Sequence, residues 1–444
     1  MRTGSSGSAG DRPTGFGRFT TDSVGSNPVG RATGDNPSSR KPIMTTLPEA
    51  PSVEKPSSAP SAHESRPDSE APVAAARHAG RTRLYALDVL RLFAALAVLS
   101  FHWTADAGVP QIWDGRTPQH LIPNIARVTQ FGWLGVELFF IISGFVICMS
   151  SWGRHAGDFV VSRVVRLYPA FWAAILLTAT VLHFAPRLGR PAARDGIDLR
   201  TVLVNLTMFE GRLGVKDVDG VYWTLWLELQ FYLLFAIVVA MGLTYRRVLA
   251  FCGIWLVVAM LASGSGAPIV EELAMMRQAP YFVAGVTIYL MHRFGPNLLL
   301  WAMVGFTWLM AMADVPGLKK VYDDAVGHPM STAAVSVAIT LAYAVVIAVA
   351  LGCFDWVRWK GLAVFGALTY PLYLIHQEAG WTLIHWLRDR GLGDRTAIGV
   401  ALVAALTVAW LLHRLVERPL GRIMKRGFDK SLKSMREASD PIPR

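Results

Sequence analysis

Long apolar stretches separated by short polar segments fill most of this chain after residue 83. The first, LYALDVLRLFAALAVLSFHW (84–103), matches a membrane-spanning helix, because about 20 apolar residues cover the hydrocarbon core. Counting all such stretches predicts about ten spans, at 84–104, 131–151, 165–185, 221–243, 248–264, 279–292, 298–313, 333–353, 362–387 and 396–414. The pattern therefore predicts an all-α polytopic membrane protein, a bundle of about ten transmembrane helices occupying residues 84–420.

The segments that flank this domain are polar. Residues 1–83 are rich in Pro, Ser and Gly and contain no long apolar run, so they cannot bury enough surface to offset the entropy of ordering. We expect a disordered cytoplasmic tail there, and a basic cytoplasmic tail at 421–444. With both termini inside, Arg154, Arg246 and Arg358 fall in cytoplasmic loops, which is the positive-inside pattern of a multi-pass plasma-membrane protein.

Composition agrees with this interpretation. Hydrophobic residues make up 52% of the chain and charged residues 17%, below the roughly 25% typical of soluble proteins. The net charge of +11 arises largely in short loops between apolar runs, so we expect a lipid bilayer rather than nucleic acid as the partner. The cysteines Cys148, Cys252 and Cys353 lie in separate apolar runs without metal-like spacing, and no metal site is predicted.

Two ionisable residues interrupt the first span. Arg91 and His102 are eleven residues apart, which brings them to the same helical face about 16 Å from each other. A charged side chain inside a membrane helix costs a few kcal/mol, so it usually faces the bundle interior and has a function. The pair is therefore predicted to line one wall of a site.

Carboxylates occur in the second and fourth spans. Glu137 in GWLGVELFFIISGFVI (132–147) and Glu228 in VYWTLWLELQFYLLF (221–235) lie about two turns from the outer surface. Either glutamate could orient His102 or fix its tautomer, although a buried carboxylate paired with an arginine is an equally simple interpretation. Trp223 is most simply an interfacial aromatic residue.

A pair of arginines begins the third span. Arg163 and Arg166 in DFVVSRVVRLYPAFW (158–172) are three residues apart and share a helical face at the predicted cytoplasmic edge. They could be positive-inside anchors. They could also bind an anionic cytosolic ligand, since guanidinium groups match phosphate in a bidentate way.

The ninth span carries a polar ridge. Tyr370, Tyr373 and His376 in FGALTYPLYLIHQEAGW (365–381) follow each other at intervals of three, and Pro371 is expected to kink the helix. A histidine in mid-membrane needs polar partners, so we treat His376 as a candidate site residue.

Together these segments resemble the bacterial integral-membrane acyltransferase-3 family. The resemblance consists of Arg91 followed after ten residues by His102, the GWLGVELFFIISGF block, Arg163 and Arg166 leading into LYPA, and the blocks WTLWLELQFY and TYPLYLIH, in that order. It covers nearly all of residues 84–420.

The resemblance implies an O-acyltransferase that moves an acyl group from cytosolic acyl-CoA to a hydroxyl of a carbohydrate or hydroxylated metabolite. His102 would be the catalytic histidine, and Arg91, Arg163 and Arg166 would bind the donor. We add Glu137 and Glu228 as catalytic candidates, and Trp223, Tyr370, Tyr373 and His376 as acceptor or oxyanion candidates. Acyl-CoA would act as a co-substrate, and no tightly bound cofactor is expected.

Two other functions fit parts of the pattern. Buried ionisable residues also occur in proton-coupled transporters and flippases, but such carriers often contain paired broken helices, and only the segment near Pro371 is a candidate. A lipid-linked sugar transferase would favour acidic metal-binding clusters or long outer loops, which this sequence does not contain. The sequence does not indicate which hydroxyl compound is the acceptor.

Overall fold

The computed structural model describes residues 84–185, 197–262 and 265–439, and these residues form helices and connecting turns without any strand. The expected disordered tail, residues 1–83, lies outside the described residues. The predicted all-helical class is therefore confirmed for the described domain.

The α-helices are numbered here in chain order. They are α1 Tyr85–Thr104, α2 Pro118–Leu121, α3 Pro123–Thr129, α4 Gly135–Ser151, α5 Ala156–Phe184, α6 Leu199–Asn205, α7 Trp223–Ala240, α8 Tyr245–Ala262, α9 Pro268–Ala274, α10 Ala279–Phe294, α11 Leu298–Val326, α12 Thr332–Ala350, α13 Leu362–Ile375, α14 Glu378–Asp389, α15 Asp394–Leu412 and α16 Arg418–Ser439. Short 3₁₀ turns occur at Pro110–Trp113, Gly132–Leu134 and Gly220–Tyr222, and a π-helical turn, His413–Glu417, joins α15 to α16.

Within the described residues, eight helical segments are long and apolar enough to cross a membrane. They contain α1, α3 with α4, α5, α7, α8, α11, α12, and α15 with α16. The shorter α13 is also apolar, whereas α10 has only 16 residues and ends in His292 and Arg293. The chain is thus a multi-pass membrane protein.

Helix α10 lies at the centre of the bundle, and all its residues from Ala279 to Met291 are buried. It packs closely on α4 because each helix presents a glycine to the other. A Cβ on Gly144 would lie 2.1 Å from the Phe282 carbonyl oxygen, and one on Gly285 would lie 1.9 Å from the Ile141 carbonyl oxygen. Gly144 therefore allows the two helices to approach closely, as small residues in apolar spans often do.

The predicted ninth span, 362–387, consists of two helices rather than one continuous helix. Helix α13 continues through Pro371 to Ile375, and α14 starts at Glu378, so the break falls at His376 and Gln377 rather than at the proline. The buried carboxylate of Asp219 accepts a hydrogen bond from the backbone N–H of Glu378 at 3.1 Å. This bond satisfies a donor that the start of a helix otherwise leaves free.

Candidate functional site

A cavity of about 360 Å³ lies between α1, α4, α5, α7 and α13. Its polar lining residues are Arg91, Ser143, Ser162, Arg163, Arg166, Thr224, Glu228, Tyr232, Thr369, Tyr370 and Tyr373. Apolar side chains of α4, including Phe139 and Phe140, form much of the remaining wall. The cavity can therefore hold a flexible, largely apolar chain alongside an anionic group.

The arginines identified in the sequence line this one cavity. Arg163 and Arg166 come from the same face of α5, as their spacing predicted, and Arg91 comes from α1. The Arg163 guanidinium lies 5.8 Å from the ring centre of Tyr232, and that of Arg166 lies 5.4 Å from the ring centre of Tyr370. These cation–π contacts hold the guanidinium groups against the cavity wall.

Glu228 lies in the same cavity as the arginines. Its carboxylate accepts hydrogen bonds from the hydroxyl of Tyr232 and, at 3.3 Å, from the hydroxyl of Ser143. Thr224, Glu228 and Tyr232 follow at intervals of four on α7, which places all three on the face that lines the cavity. Glu228 therefore lies with the arginines rather than beside His102, where we had expected it.

Glu137 occupies a different environment. It lies buried in the first turn of α4, where the positive end of the helix dipole favours a carboxylate, and it does not line the cavity. It interacts electrostatically with Asp314 and with the phenols of Tyr281 and Tyr322, on α10 and α11. Glu137 therefore faces these residues, and this is not the arrangement that would let it orient His102.

The carboxylate that faces His102 belongs to Asp106. In the last turn of α1, His102 Nδ1 lies 3.6 Å from Asp106 Oδ2, and both side chains are mostly buried. Sequence reasoning missed this aspartate because it lies beyond the apolar run, although its spacing of four residues from His102 is a helical-neighbour signal. An acid at this position favours a proton on Nδ1 and leaves Nε2 free to act as a base.

Helices α13 and α14 bring aromatic side chains to His102. The ring centres of His376 and Trp381 lie 5.3 and 5.8 Å from that of His102. Indole N–H groups join these segments, since Trp381 donates to the His102 carbonyl at 2.8 Å and Trp103 donates to the His376 carbonyl at 2.7 Å. The two indole bonds fix the break after α13 against the end of α1.

The tautomer of His376 follows from its partner. Its Nδ1 lies 2.7 Å from the carbonyl oxygen of Tyr373, which can only accept, so Nδ1 carries the hydrogen and Nε2 is the acceptor of the neutral ring. His376 is fully buried. The predicted mid-membrane histidine thus has the polar partner that burial requires.

Tyr373 connects the cavity to the histidines. Its hydroxyl is 2.9 Å from the Thr224 hydroxyl, and its ring centre is 5.5 Å from that of His376. Tyr370, also in the lining, donates to the Leu167 carbonyl at 3.0 Å. Trp223 is half-buried at the start of α7 and lies outside the lining. The predicted ridge of Tyr370, Tyr373 and His376 therefore runs from the cavity toward His102.

Glu417, which contacts the cavity-lining Arg166, is a further residue that sequence reasoning missed. It lies in the segment LVERPLGR (415–422), which the sequence analysis did not single out. In the structure its carboxylate pairs with Arg166. No local sequence signal joins the two, because they are 251 residues apart.

Comparisons with known proteins agree with this geometry. The family model described as an acyltransferase domain matches residues 84–414. The chain is 26% identical to the acyltransferase MdmB of Streptomyces mycarofaciens, covering 78% of this chain and 93% of the relative. It is also 26% identical to the exopolysaccharide production protein ExoZ of Rhizobium meliloti, covering 66% of this chain and 90% of the relative.

A third relative, nodulation protein 10 of Rhizobium leguminosarum bv. viciae, is 29% identical over 40% of this chain and 49% of its own length. No solved structure matches the chain. The family model spans most of the sequence and includes every arginine that lines the cavity, as well as the neighbouring His102 and His376. The chain therefore belongs to the acyltransferase-3 family, and the protein is a membrane acyltransferase.

Proposed function

We propose that the protein transfers an acyl group from acyl-CoA to a hydroxyl of a carbohydrate or glycosylated metabolite. The observation that supports this most strongly is one cavity whose lining contains both the arginines and Tyr373. The Tyr373 ring lies beside that of His376, which in turn packs against His102. The ExoZ relative is named for exopolysaccharide production, which favours a carbohydrate acceptor.

In this proposal Arg91, Arg163 and Arg166 bind the phosphates of the donor. Arg91 and His102 lie on one unbroken helix, and their separation of about 16 Å suits an extended pantetheine arm with its thioester near the histidine. Glu228 balances part of the positive charge in the cavity and accepts hydrogen bonds from its neighbours, so we give it a positioning role.

The transfer requires a base near neutral pKa, which suits an imidazole. His102 Nε2 accepts the proton of the acceptor hydroxyl as its oxygen attacks the thioester carbon. A C–O bond forms, the C–S bond breaks, and the proton passes from His102 to the departing thiolate. Asp106 orients the imidazole. The Tyr373 hydroxyl is our candidate for hydrogen bonding the oxyanion, because it lies at the inner end of the cavity.

We further propose ten membrane crossings in the plasma membrane, with both termini cytoplasmic. The ten crossings would be the eight long segments, the central α10, and the broken helix α13–α14. Arginines in the loops on one side favour this orientation. Donor phosphates would then meet Arg163 and Arg166 from the cytosol.

The proposal can be tested with purified protein in nanodiscs, an acyl-CoA labelled in its acyl group, and a panel of sugars and glycosides. We expect labelled ester and free thiol in equal amounts. Arg163→Gln should raise the KM for the donor about tenfold, as expected for losing hydrogen bonds to a charged group. Arg395→Gln, an exposed arginine on α15, is the matched control and should change little. Substrate uptake without ester formation would instead indicate a carrier.

A further inference from the structure

Glu417 lies at the end of the π-helical turn between α15 and α16 and is 8% exposed. One carboxylate oxygen pairs with Arg166 Nη1, and the other lies 2.9 Å from Nδ1 of His413 on the same turn. The carboxylate is therefore held from two sides by groups that can donate to it.

The fold brings this turn to the cavity. Helix α16 runs along α5, with Leu432 against Gly157 and Gly421 beside Val165, so Glu417 reaches Arg166 from the neighbouring helix. Single π-helical turns inside α-helices frequently occur at functional sites, because the wider turn changes which side chains face a neighbour. Here His413 and Glu417, which are four residues apart in the sequence, are in direct contact on the turn.

Arg166 has few other constraints among the described residues. Its side chain is 37% exposed, and its other contact is the ring of Tyr370 in the cavity lining. An arginine has five N–H donors, so a carboxylate that occupies one edge of the guanidinium leaves other donors for a second anion. Glu417 itself is absent from the cavity lining, so any effect on a bound donor acts through Arg166.

We infer that Glu417, held by His413, is a positioning residue that fixes the Arg166 guanidinium in the orientation that meets the donor's phosphates. This inference rests on the proposed donor site. The carboxylate limits the rotamers of Arg166 before the donor binds, so less entropy is lost on binding. The π-helical turn thereby becomes part of the donor site.

The test is steady-state kinetics with acyl-CoA as the varied substrate. Glu417→Gln should raise the donor KM about tenfold and leave kcat nearly unchanged, because it weakens binding equally in the ground and transition states. Asp429→Asn is the matched control, since it removes an exposed carboxylate from the adjoining helix α16, and it should behave as wild type. Glu417→Asp should recover part of the lost affinity.

A double-mutant cycle with Arg166→Gln separates positioning from a general structural role. In that background Glu417→Gln should cause no further rise in KM, whereas equal rises in both backgrounds would overturn the inference. If Arg166→Gln raises KM and Glu417→Gln does not, the positioning role alone is wrong. If Arg166→Gln leaves KM unchanged, the donor site is wrong and this inference falls with it.

Should Glu417→Gln fail to fold, His413→Gln provides a second variant, because it leaves the Arg166 pair intact and removes the contact on the other side. We expect it to raise the donor KM by less than Glu417→Gln. An unchanged KM in His413→Gln, measured at the same protein stability, would remove His413 from the inference.

Discussion

Glu210 illustrates how the surroundings of one residue set its chemistry. It is 3% exposed in the segment between α6 and α7, outside the membrane-spanning helices. Burial, together with the neighbouring carboxylate of Asp217, raises the pKa of its carboxyl to about 8, against the opposing effect of a backbone hydrogen bond. The folded protein therefore holds a proton there that an unfolded chain releases at much lower pH.

This raised pKa predicts a pH-dependent stability. The folded state binds the extra proton between the ordinary pKa of a glutamate and about pH 8, so Glu210 stabilises the fold at low pH and this stability is lost as pH rises through that window. Glu210→Gln keeps the neutral shape, so its unfolding temperature should fall by less than that of wild type over the same range. Glu271→Gln, on α9, is the control. Identical pH profiles for wild type and Glu210→Gln would contradict the prediction.

Some site residues could be identified from the sequence and others could not. Arg91 was predicted to be functional because charge inside an apolar run is costly. Arg163 and Arg166 could be anchors or an anion site by their spacing, and the structure brings all three to one cavity. The sequence left open whether Glu228 lies beside His102 or near an arginine, because depth along a span does not give the face of the helix. Asp106 and Glu417 lie where an apolar run ends, so hydropathy gave no reason to single them out.

At the level of helices, hydropathy located the spans better than their ends. Helix α5 begins at Ala156, nine residues before the predicted span. Its first turns are helical, but they carry the charged residues Asp158 and Arg163, which lower the hydropathy there. Helix α11 likewise continues through Pro316 to Val326 instead of ending near residue 313. Apolar composition marks the part of a helix that meets lipid, whereas backbone hydrogen bonding continues into polar residues.

The contact between α4 and α10 gives a prediction at this scale. Gly285→Ala should destabilise the protein by about 3 kcal/mol or more, because its Cβ would overlap the Ile141 carbonyl oxygen and the backbones would have to separate. Unfolding of purified protein in mild detergent measures this change. Gly305→Ala on α11 is the control, since nothing lies within 4 Å of its added Cβ. Equal stability of the two variants would contradict close packing at Gly285.

At the scale of the whole molecule, two regions that are distant in sequence come together. Arginines of α1 and α5 line the cavity, while the end of α1 and the break between α13 and α14 place His102 beside His376 and Trp381. Single-sequence patterns identified the helices that carry these residues. They did not locate the break, although the polar run His376–Gln377–Glu378 marks its position, because the interruption also depends on tertiary contacts with Asp219 and Trp103.

The central claim is that donor binding and proton transfer occupy different ends of one path, and His102→Ala tests it most directly. Donor affinity and acyl transfer should be measured on the same purified protein, with His183→Ala, an exposed histidine on α5, as the control. We predict a dissociation constant for acyl-CoA close to that of wild type and transfer reduced at least about 100-fold, the usual minimum for losing a general base. Transfer that persists in His102→Ala, or loss of donor binding together with transfer, would contradict the account.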